Sequence, residues 1–114
     1  MTNNNKPTGP LTDIRLIELG QLIAGPVCGQ LMADMGADVV KIEPVGGDNT
    51  RRLLGSGAGY FPMYNRNKRS IVVDLKQEAG KEILRDLIRI SDVVLENFRP
   101  GTLARLGFPY EAMC

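Results

Sequence analysis

Four short runs rich in β-branched and aliphatic residues, spaced along the chain, limit its possible folds more than any other feature. They are Ile14-Arg15-Leu16-Ile17-Glu18-Leu19, Asp38-Val39-Val40-Lys41-Ile42-Glu43, the stretch 70–75 and Asp92-Val93-Val94-Leu95. Each has the length of a strand. The first and last pairs of runs are separated by helical spacing, and a strand, helix, strand order implies a right-handed crossover and parallel pairing. The pattern therefore predicts an α/β protein with a parallel, doubly wound, Rossmann-like sheet. Ligands in such sheets collect outside the C-terminal ends of the strands. The residues that follow each run are thus the first candidates for function.

Between the first two runs, residues 20–25 read as a connection and Pro26 as a helix start. Val27, Leu31 and Met35 recur at four-residue steps and predict a core-facing helix of about three turns, ended by Gly36 in a left-handed cap. A second helix is expected over residues 77–90. Its stripe of Ala79, Ile83, Leu84, Leu87 and Ile88 should be buried, and Lys81, Glu82, Arg85, Asp86 and Arg89 should face water. Residues 44–61 carry Gly46, Gly47, Gly55, Gly57 and Gly59, too many for a helix interior, and read as a long loop. Gly55, Gly57 and Gly59 form G-x-G-x-G with no helix evident after them, which is neither the dinucleotide fingerprint nor a P-loop. They read as a surface excursion or as a lid over a site.

Residues 1–10 offer no apolar pattern to bury and are expected to form a disordered tail, with the domain spanning 11–114. The last residues, from Pro109 to Cys114, open like a helix that nothing closes. The chain therefore reads as the front part of a longer protein.

Charge is nearly balanced, with 14 Lys and Arg against 13 Asp and Glu. That argues against nucleic acid as a partner and requires any anion site to come from local clustering. Cys28 and Cys114, in a chain with no histidine, make neither a disulfide framework nor a metal site. They read as free thiols in a reducing compartment. The N-terminus lacks an apolar leader and no run reaches transmembrane length, so a cytoplasmic protein with no membrane partner is expected.

The local clustering sits at two junctions. Asn65-Arg66-Asn67-Lys68-Arg69-Ser70 runs directly into the third strand, and the fourth opens into Glu96-Asn97-Phe98-Arg99-Pro100-Gly101. Together they read as adjoining walls of a site for an anionic cofactor. Asn97, Phe98 and Arg99 supply an amide, an aromatic face and a guanidinium, types suited to purine stacking and phosphate contact. Arg105 lies on a short helical turn over 100–105 that can point back at the same ligand. At Ala24-Gly25-Pro26 a helix N-terminus faces the same region. The bland alternative is a set of solvated surface charges. No catalytic constellation is present.

These motifs resemble the N-terminal segment of the family III CoA-transferases, a family that also takes in the α-methylacyl-CoA racemases. The resemblance rests on Ile23-Ala24-Gly25-Pro26, on residues 32–43 (MADMGADVVKIE), on Gly47-Asp48 with Arg51, on residues 65–70 with Asp74-Leu75-Lys76, and on residues 92–101 with Leu106-Gly107. It implies coenzyme A, carried as acyl-CoA, as the ligand, with no metal. Val73, Asp74, Leu75 and Lys76, with Asn97, Phe98 and Arg99, would border the adenine and phosphate end, and Arg105 would add charge. The backbone of Ile23 and Ala24 would approach the pantetheine and thioester. The implied reaction moves CoA from an acyl-CoA to a carboxylic acid through an enzyme-bound aspartyl intermediate, whose aspartate lies beyond this segment. This segment by itself would therefore be inactive. The implied assembly is an interlocked homodimer. Ile23 and Pro44 stand where formyl-CoA transferase carries a glutamine and a CoA-contacting arginine. An acyl-CoA racemase, or a non-catalytic nucleotide- or RNA-binding module using the basic loop, is the alternative.

Overall fold

In the computed structural model residues 8–114 are described, so the expected tail falls mainly outside the described residues. Strands β1 (Arg15–Glu18), β2 (Asp38–Glu43), β3 (Arg69–Val72) and β4 (Val93–Leu95) form one sheet in the order β3-β2-β1-β4. Every neighbouring pair is parallel. Helix α1 (Ala24–Asp34) joins β1 to β2, α2 (Tyr60–Tyr64) precedes β3, and α3 (Glu78–Arg89) joins β3 to β4. The short helices α4 (Thr102–Arg105) and α5 (Tyr110–Met113) follow. No helix among the described residues is long and apolar enough to cross a membrane.

Alternation along the strands divides the core in two. Leu16 and Val39 pack with Ala33 and Ala37 on the α1 side. Ile17, Leu19, Val40 and Ile42 pack with Val73, Leu84 and Phe108 on the α3 side. Helices thus cover both faces, and the doubly wound α/β arrangement expected from the strand spacing is the one observed.

Both long helices are rotated relative to their sequence patterns. Leu31 and Met35 do not face the core, being 56% and 41% exposed, and Val27 is only half-buried. Instead α1 turns Gly25, Pro26, Gly29, Gln30 and Ala33 inward. The cause is the polar side chain beneath it, because a Cβ at Gly29 would stand 1.9 Å from Glu18 Oε1. Only a face of small residues can approach that closely. Gly36, at φ 102°, ends the helix as its position predicts. In α3 the inward residues are Gly80 and Leu84, with Leu87 and Ile88 partly buried, whereas Ala79 and Ile83 are exposed. A Cβ on Gly80 would meet the Asp74 carbonyl oxygen at 1.9 Å, and this close approach fixes the rotation. Arg85, expected in water, is half-buried with its guanidinium 5.6 Å from the Phe108 ring centroid.

The third strand also departs from expectation. It ends at Val72 and lies at the sheet edge with all four residues exposed, so the basic loop leads into an edge and not into a buried strand. Nor is the 44–61 segment a plain loop. It contains two 3-10 turns, Asn49–Arg52 and Gly55–Gly57, and α2 begins directly after Gly59. The Asp48 carboxylate caps the first turn, accepting from the Thr50 amide and hydroxyl at 2.8 Å each.

Candidate functional site

A cleft of about 390 Å³ opens where the parallel strands end. Leu19 and Gln21 enter it after β1, Ile42, Glu43, Pro44 and Val45 from the end of β2, Val73 to Lys76 after β3, Phe98 after β4, and Leu106 after α4. The walls are mostly aliphatic and aromatic, with Gln21, Glu43, Asp74 and Lys76 as the polar exceptions. Asp74 Oδ1 accepts the Lys76 amide at 3.0 Å, a local turn that shapes the rim. Glu43 anchors the opposite wall. It accepts from Arg51 Nε and Nη2 at 2.7 Å each and from the Asp48 amide at 2.7 Å, and the Ser70 hydroxyl is in contact as well. The Arg51 guanidinium, foremost among these donors, holds the Glu43 carboxyl down at about 2. Arg51 also lies 3.8 Å from the Phe61 ring centroid, which fastens α2 to the same anchor.

Of the residues expected to form a site, Val73, Asp74, Leu75, Lys76 and Phe98 meet in this cleft. Asn97 lies behind it with its amide on the Gln21 main chain, accepting at 2.8 Å and donating at 2.9 Å. Arg99 lines a separate cavity of about 290 Å³ with Glu96, Phe108 and Tyr110. Arg105 folds along its own helix and donates to Thr102 Oγ1 at 3.2 Å. Ile23 and Ala24 open α1 in exposed positions and do not line the cleft. Gln21, Val45 and Leu106 were not among the expected residues. Gln21 had a usable signal, since it follows the first strand run by two positions.

The basic loop is not a free anion site. Arg66 pairs with Asp34 at 2.9 Å and Arg69 with Asp38 at 2.7 Å, carboxylates contributed by α1 and β2. Lys68 is buried and donates to Glu18 Oε2, Pro26 O, Tyr64 O and Asn65 Oδ1 at 2.8 to 3.0 Å. Burial pushes its pKa down, and the Glu18 carboxylate opposes that shift. Lys41 is buried beside it, 3.1 Å from both Glu18 Oε2 and Asp48 Oδ2 and 3.2 Å from Gly20 O. Glu18 Oε1, 2.7 Å from the Lys68 ammonium, makes an ionic contact without a directed hydrogen bond. By contrast Lys76, Lys81, Arg99 and Arg105 have no carboxylate partner among the described residues. Arg52 pairs with no carboxylate either, but it is taken up by Gly46 O and Asn49 Oδ1; of these cations Lys76 stands on the cleft.

A parallel sheet with helices on both faces and a largely apolar cleft at its strand ends defines a doubly wound α/β protein. More narrowly, the chain belongs to CoA-transferase family III, whose profile matches residues 11–114. It is 47% identical to the succinate–glutarate CoA-transferase of Agrobacterium fabrum, over 96% of this chain and 30% of that protein. It is 48% identical to the formyl-CoA:oxalate CoA-transferase of Bradyrhizobium diazoefficiens, over 91% of this chain and 26% of the relative. Among solved structures, Rv3272 of Mycobacterium tuberculosis superposes with a TM-score of 0.88 at 41% identity, covering 94% of this chain and 30% of that one. A CAIB/BAIF family protein from Brucella suis does so with a TM-score of 0.84 at 41% identity, over 93% and 30%. The chain thus spans under a third of the length of these relatives.

Proposed function

We propose that this chain is the CoA-binding front of a CoA-transferase. The observation that carries the reading is the coincidence of Val73, Asp74, Leu75, Lys76 and Phe98 on one cleft whose lysine has no carboxylate partner among the described residues. The apolar walls suit the flat base and methylene-rich arm of CoA, and Lys76 is placed to meet a phosphate as a point charge. Arg105, which directly precedes Leu106 in the cleft wall, and Arg99 add positive potential to the same end of the sheet. Ile23 and Ala24 would come near the thioester from the α1 side.

In the intact protein the reaction is transfer of CoA from an acyl-CoA to a carboxylic acid, through an aspartyl intermediate formed on a residue outside this segment. The assembly proposed is the interlocked homodimer and the location the cytoplasm. Relatives carrying the names of CoA-transferases favour transfer over racemisation, and the pairing of Arg66, Lys68 and Arg69 removes the support for an RNA-binding loop.

Calorimetric titration of CoA into the intact protein tests the reading. A charged partner in a hydrogen bond contributes roughly 1.5–3 kcal/mol, so Lys76→Ala should weaken binding about ten- to a hundredfold. Unchanged affinity removes the cleft from the CoA site.

A further inference from the structure

We infer that Asn97 is a positioning residue that sets the main chain between β1 and α1 and acts on the ligand through Gln21. This rests on the assignment of the cleft to CoA. The sequence places Asn97 among residues suited to touch a cofactor, yet both polar atoms of its amide are engaged by protein. Gln21 N donates to Asn97 Oδ1 at 2.8 Å, and Asn97 Nδ2 donates to Gln21 O at 2.9 Å. The two residues are 76 positions apart, so this pair joins the β1 exit to the β4 exit.

The segment needs such a clamp. Leu22 sits at φ 68°, in the left-handed region that leucine rarely adopts. Packing does not hold it there, since Leu22 is 50% and Ile23 38% exposed. The turn is also folded tightly on itself: a Cβ on Gly20 or on Gly25 would meet the other's Cα at 2.9 Å and Asn97 Oδ1 at 3.2 Å. Lys41 holds the near end at Gly20 O and Lys68 holds the far end at Pro26 O. Asn97 holds the main chain between those two anchors, immediately before the strained leucine. Gln21 is in turn a wall of the cleft. Loss of the clamp frees Leu22 to relax and moves that wall.

The experiment is hydrogen exchange on the ligand-free intact protein, paired with CoA titration, for the wild type, Asn97→Ala and Asn97→Asp. In Asn97→Ala the Gln21 amide should exchange about fivefold faster or more, the size of one net hydrogen bond, while the β1 amides stay protected. CoA affinity should fall several-fold alongside. The isosteric Asn97→Asp keeps the acceptor for Gln21 N–H but loses the donor to Gln21 O, so that amide should stay protected. Weaker CoA binding in Asn97→Ala without faster exchange at Gln21 overturns the inference, because Asn97 would then contact CoA itself. Faster exchange with unchanged affinity overturns it too. Lys76→Ala separates the two readings: affinity lost there but retained in Asn97→Ala defeats the positioning role alone, and affinity retained in both defeats the cleft assignment.

Discussion

In an ordinary helix interior Gly→Ala stabilises by roughly 1 kcal/mol, because alanine loses less backbone entropy. Gly29→Ala in α1 should do the reverse. The new Cβ would stand 1.9 Å from Glu18 Oε1 and 3.1 Å from its Cδ, far inside van der Waals contact. A flexible carboxylate at a surface would swing aside, but Glu18 is fully buried and its oxygens face two buried ammonium groups. Displacing it from Lys41 and Lys68 breaks buried ionic contacts, which costs roughly 3–5 kcal/mol. Lifting α1 instead opens the packing of Ala33 on Leu16 and Val39. Offset by the gain in helix propensity, the net loss should be about 2–4 kcal/mol. Urea denaturation of the intact protein followed by circular dichroism reads it as a lower midpoint at unchanged slope. Gly59→Ala is the control, since a Cβ there meets nothing within 4 Å and should change stability by less than about 0.5 kcal/mol. Glu18→Asp withdraws the carboxylate by one methylene, so the double variant should lose less than the sum of the singles, by more than about 1 kcal/mol. A Gly29→Ala protein at least as stable as the wild type would refute the close packing of α1 on Glu18.

Two other perturbations follow from the cleft walls. Gly80→Ala would drive a Cβ to 1.9 Å from the Asp74 carbonyl oxygen, a main-chain atom that cannot swing away. It should cost roughly 1–3 kcal/mol by thermal unfolding and lower CoA affinity as well, because Asp74, Leu75 and Lys76 shift together. Glu43, with its pKa lowered from 4.5 to about 2 by Arg51 ahead of its other donors, binds fewer protons folded than unfolded. Its contribution, about 3 kcal/mol, is therefore complete above pH 4.5 and lost as pH falls toward 2. Glu43→Gln should flatten the acid limb of a stability–pH curve; an unchanged limb would show that other carboxylates govern it.

The strands were legible because β-branched runs of strand length leave few alternatives, and parallel order follows once helices lie between them. The helix orientations were not. Apolar periodicity counts side chains such as Leu31 and Met35, whereas contact with the sheet here favours smallness, which places Gly29 and Ala33 inside. Charge partners were invisible for a different reason. Asp34 and Asp38 lie 32 and 31 positions from the arginines they pair with, so local reading counts Arg66 and Arg69 as free cations. The cleft was half legible: Phe98 follows from its place after the fourth run, whereas Val73 to Lys76 come with the family resemblance, because the third run reads as strand through residue 75. Leu106 depends on how α4 folds back, which no local pattern reveals.

Glu18, Lys41, Asp48 and Lys68 form a buried quartet of two negative and two positive charges, drawn from β1, β2, the turn after β2 and the loop before β3. Neutralising any one member strands a partner's charge away from water, so single substitutions meet a barrier that paired replacements do not. The four positions should therefore behave as one mutational unit. Randomised libraries of this chain should recover functional variants there as compensated pairs, for instance with Lys68 and Glu18 replaced together by apolar residues of similar volume. For protein engineering, that makes the quartet the part of the fold least able to drift by single steps, even though none of its members stands free on the cleft.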